Sequence, residues 1–465
     1  MEVFGITLSL VLLIFFAYRG YSVIFFAPIL AILAAVAQGL PVMPTYTELF
    51  MVKAVIYIKN FFPVFMLGAI FGKIMEESGM AKSIAHAIIQ TLGPKRAVLS
   101  TVLSAAILTY GGVSMFVVVF AVYPFAAALF KEADIPKSLV PATIVLGAFT
   151  FTMDSLPGSP QIQNIIPSNF LGTSVYSGPI LGTFVAIIMF ATGMMWLTYR
   201  VNKAKASGEG YGNHTLNEPE FKDIKLPSWQ VSTLPLITVL VVNYIGNHYV
   251  NWDPAILQPI AAMKLPLMAP AIKNVISTWS LIIAVACGIA VAGGFGFKRM
   301  SNGGFSKAIT LGAVGSLLAV MNVASEVGYG NVIAALPGFK TIAASVMAMD
   351  FGGNNPLTSM AATINVLCGI TGSASGGVSI ALDLFGKHWL DWAAAVNMSP
   401  EILHRVAAIA SGGFDTGPHN GAIITLLAVC GLTHRQSYPD IFAMTILKIL
   451  MVLIALIFVA VFGIA

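Results

Sequence analysis

Charge is what this sequence has least of. Asp, Glu, Lys and Arg together make up 9% of its 465 residues, against about a quarter in soluble domains, which excludes an ordinary water-soluble fold. Cysteine is scarce as well. Cys287, Cys368 and Cys430 stand singly in apolar stretches, which excludes a disulfide framework or paired-cysteine metal site and leaves them as packing residues. No HExxH, CxxC, GxSxG or phosphate-binding loop occurs. The only long hydrophilic stretch is too short for a catalytic domain, so a membrane-embedded hydrolase or transferase is disfavoured, and neither cofactor nor metal is expected. The net charge of +5 is no nucleic-acid signal, because its basic residues are scattered through short loops.

What is present is apolar. Hydrophobic residues fill 57% of the chain, in runs long enough to cross about 30 Å of hydrocarbon at about 1.5 Å per residue. No Lys or Arg precedes residues 3–18, so they read as a retained first membrane helix with its amino end outside, not as a cleaved leader. Further helices are expected at 21–38 and 48–72, with an amphipathic helix lying along the membrane surface at 73–93. Residues 97–130 carry Gly111-Gly112 near their middle, 138–172 is interrupted, and 178–198 is a clean helix. The hydrophilic stretch 199–229 reads as a flexible linker. The series then restarts, with helices near 231–250, 276–296 and 307–328 and a surface-type stretch at 329–350. A Gly-rich segment at 354–390, an interrupted one at 399–430 and a last helix at 440–463 complete it. Four prolines make 253–275 an external loop.

Charge asymmetry orients this series. With the amino terminus outside and both Gly-rich segments counted as re-entrant hairpins, sixteen of 24 Lys and Arg residues fall on the linker side. Five face the other way: Lys264, Lys273, Lys340, Lys387 and Arg405. That bias places the linker in the cytoplasm and both termini outside, in a bacterial cytoplasmic (inner) membrane. Each half then crosses five times, and an odd count forces the second half in upside down. The expected fold is an all-α polytopic membrane protein built as an inverted repeat. Residues 1–199 form one half (hairpin 97–130, broken helix 138–172), 200–229 the linker, and 230–465 the other half (hairpin 354–390, broken helix 399–430).

Internal repetition supports the duplication. Gly111–Ser114 matches Gly376–Ser379 at an offset of 265, and Asp154 and Asp415 lie 261 apart, each followed by a hydroxyl residue and then proline. Glu77 and Glu326, each two residues before a glycine, add a weaker pair at 249. Gly-Gly and Pro-Gly-Ser-Pro cannot continue a helix, so the backbone opens at membrane depth, where it survives only inside protein or against a wet cavity. Helix ends created there turn free N–H groups inward and suit an anion. The bland alternative is that the glycines only allow close helix packing.

TYGGVSMFVVVFAVYPFAAALF at 109–130, GAFTFTMDSLPGSPQIQNIIPSNF at 147–170 and SGGFDTGPHNGAIITLLAVCGLTH at 411–434 resemble the gluconate permease (GntP) family, over most of the chain. The similarity is closest to members that carry short hydroxy acids such as D-β-hydroxybutyrate, and the gluconate branch is proline-richer where this chain has SLPGSPQ. The resemblance implies proton-coupled uptake of a hydroxy-carboxylate by a scaffold-and-transport-domain fold, as a homodimer in the lipid bilayer. The small organic anion and the proton are its expected partners.

Candidate substrate contacts follow from the breaks: Gly111, Gly112 and Ser114 on the first hairpin, and Ser373, Ser375, Gly377 and Ser379 on the second. Ser155 and Gly158 in the first broken helix, with Thr416 and Asn420 in the second, join them. Hydroxyls there suit a small carboxylate or hydroxyl, or else satisfy freed backbone groups. Asp154 and Asp415 are candidate proton carriers, since the broken segments read as free of basic partners; capping a half-helix is the alternative. His419 either titrates or orients its break, and Glu326, placed near the outer end of its helix, handles protons or ends that helix. Asp383 is expected to pair with Lys387, while Lys53 and Lys59 are structural and snorkel outward. Lys448, deep in the last helix, has no role assigned from sequence. A sodium/proton antiporter or sodium-coupled carboxylate transporter of the same architecture, and a passive channel, are the alternatives to proton symport. A cysteine introduced at Gly212 should stay unlabelled by impermeant thiol reagents when only the outer membrane is permeable; ready labelling would invert the topology.

Overall fold

The computed structural model of the protein describes residues 2–19, 21–113, 115–218, 226–263, 269, 271–300, 303–339, 356–418 and 420–464. Helices and turns account for all regular structure among them. Among the described residues, six helices are long and apolar enough to cross a membrane: Val42–Glu77, Pro179–Ala206, Trp229–His248, Ile276–Arg299, Gly304–Ala335 and His434–Phe462.

Two groups of helices share the molecule. The first gathers α1 (Glu2–Tyr18), α2 (Val23–Val36), α3 (Val42–Glu77), α11 (Trp229–His248), α12 (Ile276–Gly296) and α13 (Gly304–Ala335). Within it α3 and α13 make the most extensive contact. Gly312 lies directly on the backbone of Ile70, and a side chain there would meet the Ile70 Cα at 2.6 Å. A small residue at the crossing lets the two backbones approach closely.

The second group is built from two hairpins, two broken helices and two long helices. The first hairpin joins α5 (Ala97–Tyr110) to α6 (Met115–Glu132), with α4 (Met80–Leu92) packed on both. The first broken helix is α7 (Val140–Ala148), the single turn α8 (Phe151–Asp154) and α9 (Ile162–Leu171), followed by the long α10 (Pro179–Ala206). The second hairpin joins α14 (Pro356–Thr371) to α15 (Ala374–Ala395). The second broken helix is α16 (Pro400–Ser411) and α17 (Gly421–Cys430), followed by α18 (His434–Phe462). Elements are exchanged across the halves: α9 packs on α15, α17 on α6, and α7 on α18.

Several expectations need correction. Residues 73–93 do not form one helix on the membrane surface: α3 runs on to Glu77, and α4 buries Met80, Ala81, Ile84 and Ala85. Its apolar stripe faces protein, not lipid. The stretch from 329 likewise continues α13 to Ala335 with Tyr329, Val332 and Ile333 buried; the remainder, and the loop near Gly353, lie outside the described residues.

The linker is not a free tether where it is described. α10 extends to Ala206, and the chain beyond it is pinned down. Lys137, fully buried, donates to Glu218 at 2.8 Å and to the Leu216 carbonyl at 3.1 Å. Tyr123 donates to the Asn217 carbonyl at 2.8 Å, and Asn217 Nδ2 donates to the Ala428 carbonyl at 2.8 Å. The polar composition that suggests flexibility instead supplies partners for hairpin and helix ends. Lys137 and Arg405, both fully buried, are therefore not loop charges, and setting them aside leaves the charge imbalance in place.

Replacing Glu218 with Gln strands the Lys137 ammonium, so the unfolding midpoint in detergent should fall, by about 2 kcal/mol of stability. The Lys137→Met/Glu218→Gln double variant should recover part of that loss, because no buried charge is left unmatched.

Candidate functional site

The two helix breaks meet. In the first, α8 stops at Asp154 because Pro157 and Pro160 cannot donate to a continuing ladder. In the second, α16 stops at Ser411 and Gly412-Gly413 open the chain until Asn420 caps α17, its side chain accepting from the Ala422 and Ile423 N–H groups. Asp154 Oδ2 rests against Gly412, where a side chain would collide with it and would meet Lys448 Cε at 3.1 Å. Only glycine admits that approach.

Lys448 of α18 is the cation at this junction. It is 3% exposed, forms an ion pair with Asp415 of the second break, and donates to the Phe149 carbonyl of the first at 3.0 Å. Asp154 is bonded by the Ser155 hydroxyl, at 2.7 Å from Oδ1, and by no cation among the described residues. One ammonium thus lies beside two buried carboxylates, one from each half of the chain, and is paired with Asp415.

Arg405 of α16 works differently. Its Nε and both Nη groups donate to neutral acceptors: the Ser155 carbonyl at 3.1 Å, Val175 at 3.1 Å, Ser177 at 2.6 and 3.0 Å, and Asn164 Oδ1 at 3.0 Å. The Ser155 carbonyl belongs to backbone opened by the first break, and those of Val175 and Ser177 to the turn between α9 and α10; such backbone must find donors when water is excluded. His404 reinforces the staple through Thr173 at 2.7 Å and Asn164 at 3.2 Å.

Each hairpin turn is tied to the break of its own half. Gln161 donates to the Thr109 carbonyl at 2.7 Å, and Tyr110 to the Pro157 carbonyl at 2.8 Å. In the second half Asn420 Nδ2 donates to the Gly372 carbonyl at 2.8 Å and to the Asp415 carbonyl at 2.6 Å.

The sequence-derived candidates divide accordingly. Asp154 and Asp415 come together, but the expectation that no basic residue accompanies them is wrong: Lys448 binds Asp415, and Arg405 lies inside the second broken segment. Asn420 has its side chain committed to capping and to the hairpin tie, Thr416 is bonded to Thr445 at 2.6 Å, and Ser155 to Asp154. Gly111 packs on Leu236, Gly112 turns with φ +90° against Val239 and Pro160, and Gly158 packs on the Tyr176 ring. Ser373 caps α15 through the Gly376 N–H at 3.1 Å and shares a 3.3 Å contact with Ser375. Gly377 packs on Cys368.

The match of Ser114 to Ser379 does not follow the turns. The second hairpin reverses at Gly372-Ser373, so Ser379 sits inside α15, buried and with its hydroxyl unpartnered among the described residues. The GGVS repeat is thus out of register with the hairpins it led to. Ser114 and His419 lie outside the described residues. Glu77 and Glu326 are not equivalent either: Glu77 is exposed, whereas Glu326 is buried within α13. Asp383 pairs with Lys53 at 3.0 Å, and Lys387 with Asp391 instead.

Lys448, Arg405 and Asn365 are the residues that sequence reasoning missed. Asn365 on α14 has its Oδ1 against Gly413 and unpartnered. The available signal was position: Arg405 falls in a segment already assigned to the membrane, where a charge is functional or structural before it is topological. A cleft of about 1620 Å³ lies apart from this junction, between α4, α6, α11 and α17 beside Glu218, with His86, Tyr123 and Thr425 among its lining.

Comparison with known proteins places this architecture. The GntP family permease model matches residues 1–351. The chain belongs to the GntP permease family. A Bacillus subtilis (strain 168) protein, the uncharacterized transporter YxjC, is 47% identical over 459 residues, covering 96% of both chains. An uncharacterized transporter of Haemophilus influenzae is 24% identical over 211 residues, covering 45% of this chain and 48% of its own. Among solved structures, the Alcanivorax borkumensis YdaH transporter matches with a TM-score of 0.51 at 16% identity, covering 87% of this chain and 86% of its own. Neisseria gonorrhoeae MtrF, reported to illuminate a class of antimetabolite efflux pumps, matches at 0.50 and 12% identity, covering 92% and 93%. At these identities the likeness is one of fold. This GntP permease is therefore a polytopic membrane transporter for a small molecule, grouped with permeases and not with enzymes.

Gly412→Ala should cost about 1–3 kcal/mol through overpacking on Asp154 and should depress transport. Gly421→Ala, where nothing lies within 4 Å, should leave both unchanged. Unfolding midpoints and uptake assays on the pair check this.

Proposed function

We propose that this permease is a secondary active transporter that takes up a short hydroxy-carboxylate together with a proton. The observation that carries the reading is the junction of the breaks, where Lys448 is paired with Asp415 and lies beside Asp154. Lys448 is the natural partner for an incoming carboxylate, because Arg405 has spent its donors on backbone carbonyls and Asn164. Asp154, without a cation of its own, carries the proton. The family's transport of small molecules supports this class of substrate; the relatives lend no support to 3-hydroxybutyrate over other acids of the class, and the sodium/proton antiporter is not favoured.

The electrostatics supply the coupling. Two like charges about 4 Å apart at an effective dielectric of about 20 repel by about 4 kcal/mol. A substrate carboxylate beside ionised Asp154 meets that penalty, and protonating Asp154 removes it. Proton and substrate then favour each other's binding by the same free energy.

The proposed architecture is an inverted repeat, with the linker in the cytoplasm and two copies in the membrane. The exchanged packing of α9 on α15 and α17 on α6, and the matching hairpin ties, support it. The cleft beside Glu218 reaches α17 from the linker side and suits an entrance there.

Proteoliposomes given a labelled hydroxy-acid panel should accumulate substrate under an imposed proton gradient and not under a sodium gradient. Asp154→Asn should keep substrate exchange and balance at a lower accumulation ratio than wild type under the same proton gradient. An Asn variant that still accumulates at the wild-type ratio would remove Asp154 as the carrier.

A further inference from the structure

The second hairpin carries a carboxylate on each side. On one side, α14 faces the junction: Asn365 lies against Gly413, and Gly369 against Phe414. On the other, Glu326 of α13 rests its Oε2 on Gly376 in the first turn of α15, where a side chain would collide with it. Cys368 packs on Gly377 between the two helices of the hairpin. Asp154 on Gly412 and Glu326 on Gly376 are thus two acids, each seated on a glycine, on opposite sides of one hairpin.

Glu326 has no part in the substrate site described above. It is 4% exposed, and Oε2 has no hydrogen-bond partner among the described residues. The Tyr57 hydroxyl of α3, 2% exposed, faces Ser375 close by. The charged groups of the surrounding elements are accounted for. From α3, Lys53 lies one turn from Tyr57 and is held by Asp383 of α15, while Lys59 and Glu48 are exposed. α15 otherwise presents Ser373, Ser375 and Ser379, α14 presents Cys368, and α2 has no ionisable residue. Among the described residues, no ion pair joins a cation to Glu326.

We propose that Glu326 carries a second coupling proton, in a site lined by Tyr57, Ser373, Ser375 and Ser379 at the seam between α3–α13 and the second hairpin. This rests on the proton-symport reading above and adds a stoichiometry of two protons per substrate. Seating an acid on Gly376 without a counter-charge favours its neutral form, since an isolated buried charge is far costlier than a neutral polar group. Glu326 belongs to one helix group and Gly376 to the other, so motion between the groups makes or breaks this seat. Taking up the proton and closing the seam are then one event.

The experiment is a zero-flux measurement in proteoliposomes with the membrane potential clamped at zero, using the best substrate of the hydroxy-acid panel. With a pH gradient of about one unit, linkage of two protons balances an accumulation of about 100-fold and linkage of one about 10-fold. Wild type should balance near the higher ratio and Glu326→Gln near the lower, with accumulation retained. Glu326→Asp, which keeps the acid, should stay near the higher value. A wild-type ratio of one proton per substrate overturns the proposal even if neither variant folds. So does a Glu326→Gln variant that still balances at two. A wild type that shows no pH-driven accumulation at all removes the symport reading itself, and this proposal with it.

Discussion

One ammonium group holds the centre of this molecule together. Lys448 reaches from the last helix to Asp415 in one break and to the Phe149 carbonyl in the other. Removing one partner of a buried pair strands the other at a cost of about 3–5 kcal/mol, so these contacts are a condition of the fold. They also fix where the two halves of the chain meet. Arg405 adds a second attachment of the same kind, a cation from the second half saturating backbone opened in the first. Both basic residues come from the C-terminal half, and both carbonyl sets lie in the N-terminal half. The first break can be open because the far half supplies its donors.

The hairpins follow from the breaks. Asn420 binds the Gly372 carbonyl while capping α17, and Gln161 binds the Thr109 carbonyl just before α9 begins. A hairpin turn therefore cannot shift without disturbing the break beside it, and the break cannot shift without disturbing Lys448 or Arg405. These elements form one connected polar network inside an apolar shell. By contrast, the α3–α13 group meets that network through packed faces, the Lys53–Asp383 pair, the Glu326 seat and a few hydrogen bonds near the end of α9, from Thr278 and Asn274 to Asn169 and from Ser174 to Asn247. Motion concentrates where bonds are fewest, and the boundary between the groups has fewer than the junction does.

Local chemistry was legible in the sequence, and long-range chemistry was not. Pro157, Pro160 and Gly412-Gly413 announce the breaks because a residue's own backbone limits decide whether a helix can continue. Long apolar runs announce the helices for the same reason, within a few residues at their ends. The partners were hidden: Lys448 finds Asp415 across 33 positions and Phe149 across 299, and nothing in either neighbourhood signals the other. Arg405 was misread because a basic residue between apolar runs looks like a loop charge until its carbonyl partners are seen. The GGVS repeat misled in a different way. It matched residues in α15 to residues in the first turn, four positions out of step with the 261-residue offset that relates the two aspartates.

Charge balance gives the junction its direction. The other buried charges outside it are matched: Lys137 by Glu218 and Asp440 by Arg200. What remains is Lys448 and Arg405 against Asp154, Asp415 and Glu326, one negative charge in excess when all are ionised. A monoanionic substrate alone would deepen that excess in a medium that solvates charge poorly. One proton restores the starting balance, and a second brings the loaded interior to neutrality. On the proposed coupling, the form that carries substrate across is thus the one with the smallest net charge to bury, while the form that returns without it keeps one negative charge. In that scheme the protons do more than supply driving force: they decide which form of the carrier is cheapest to move.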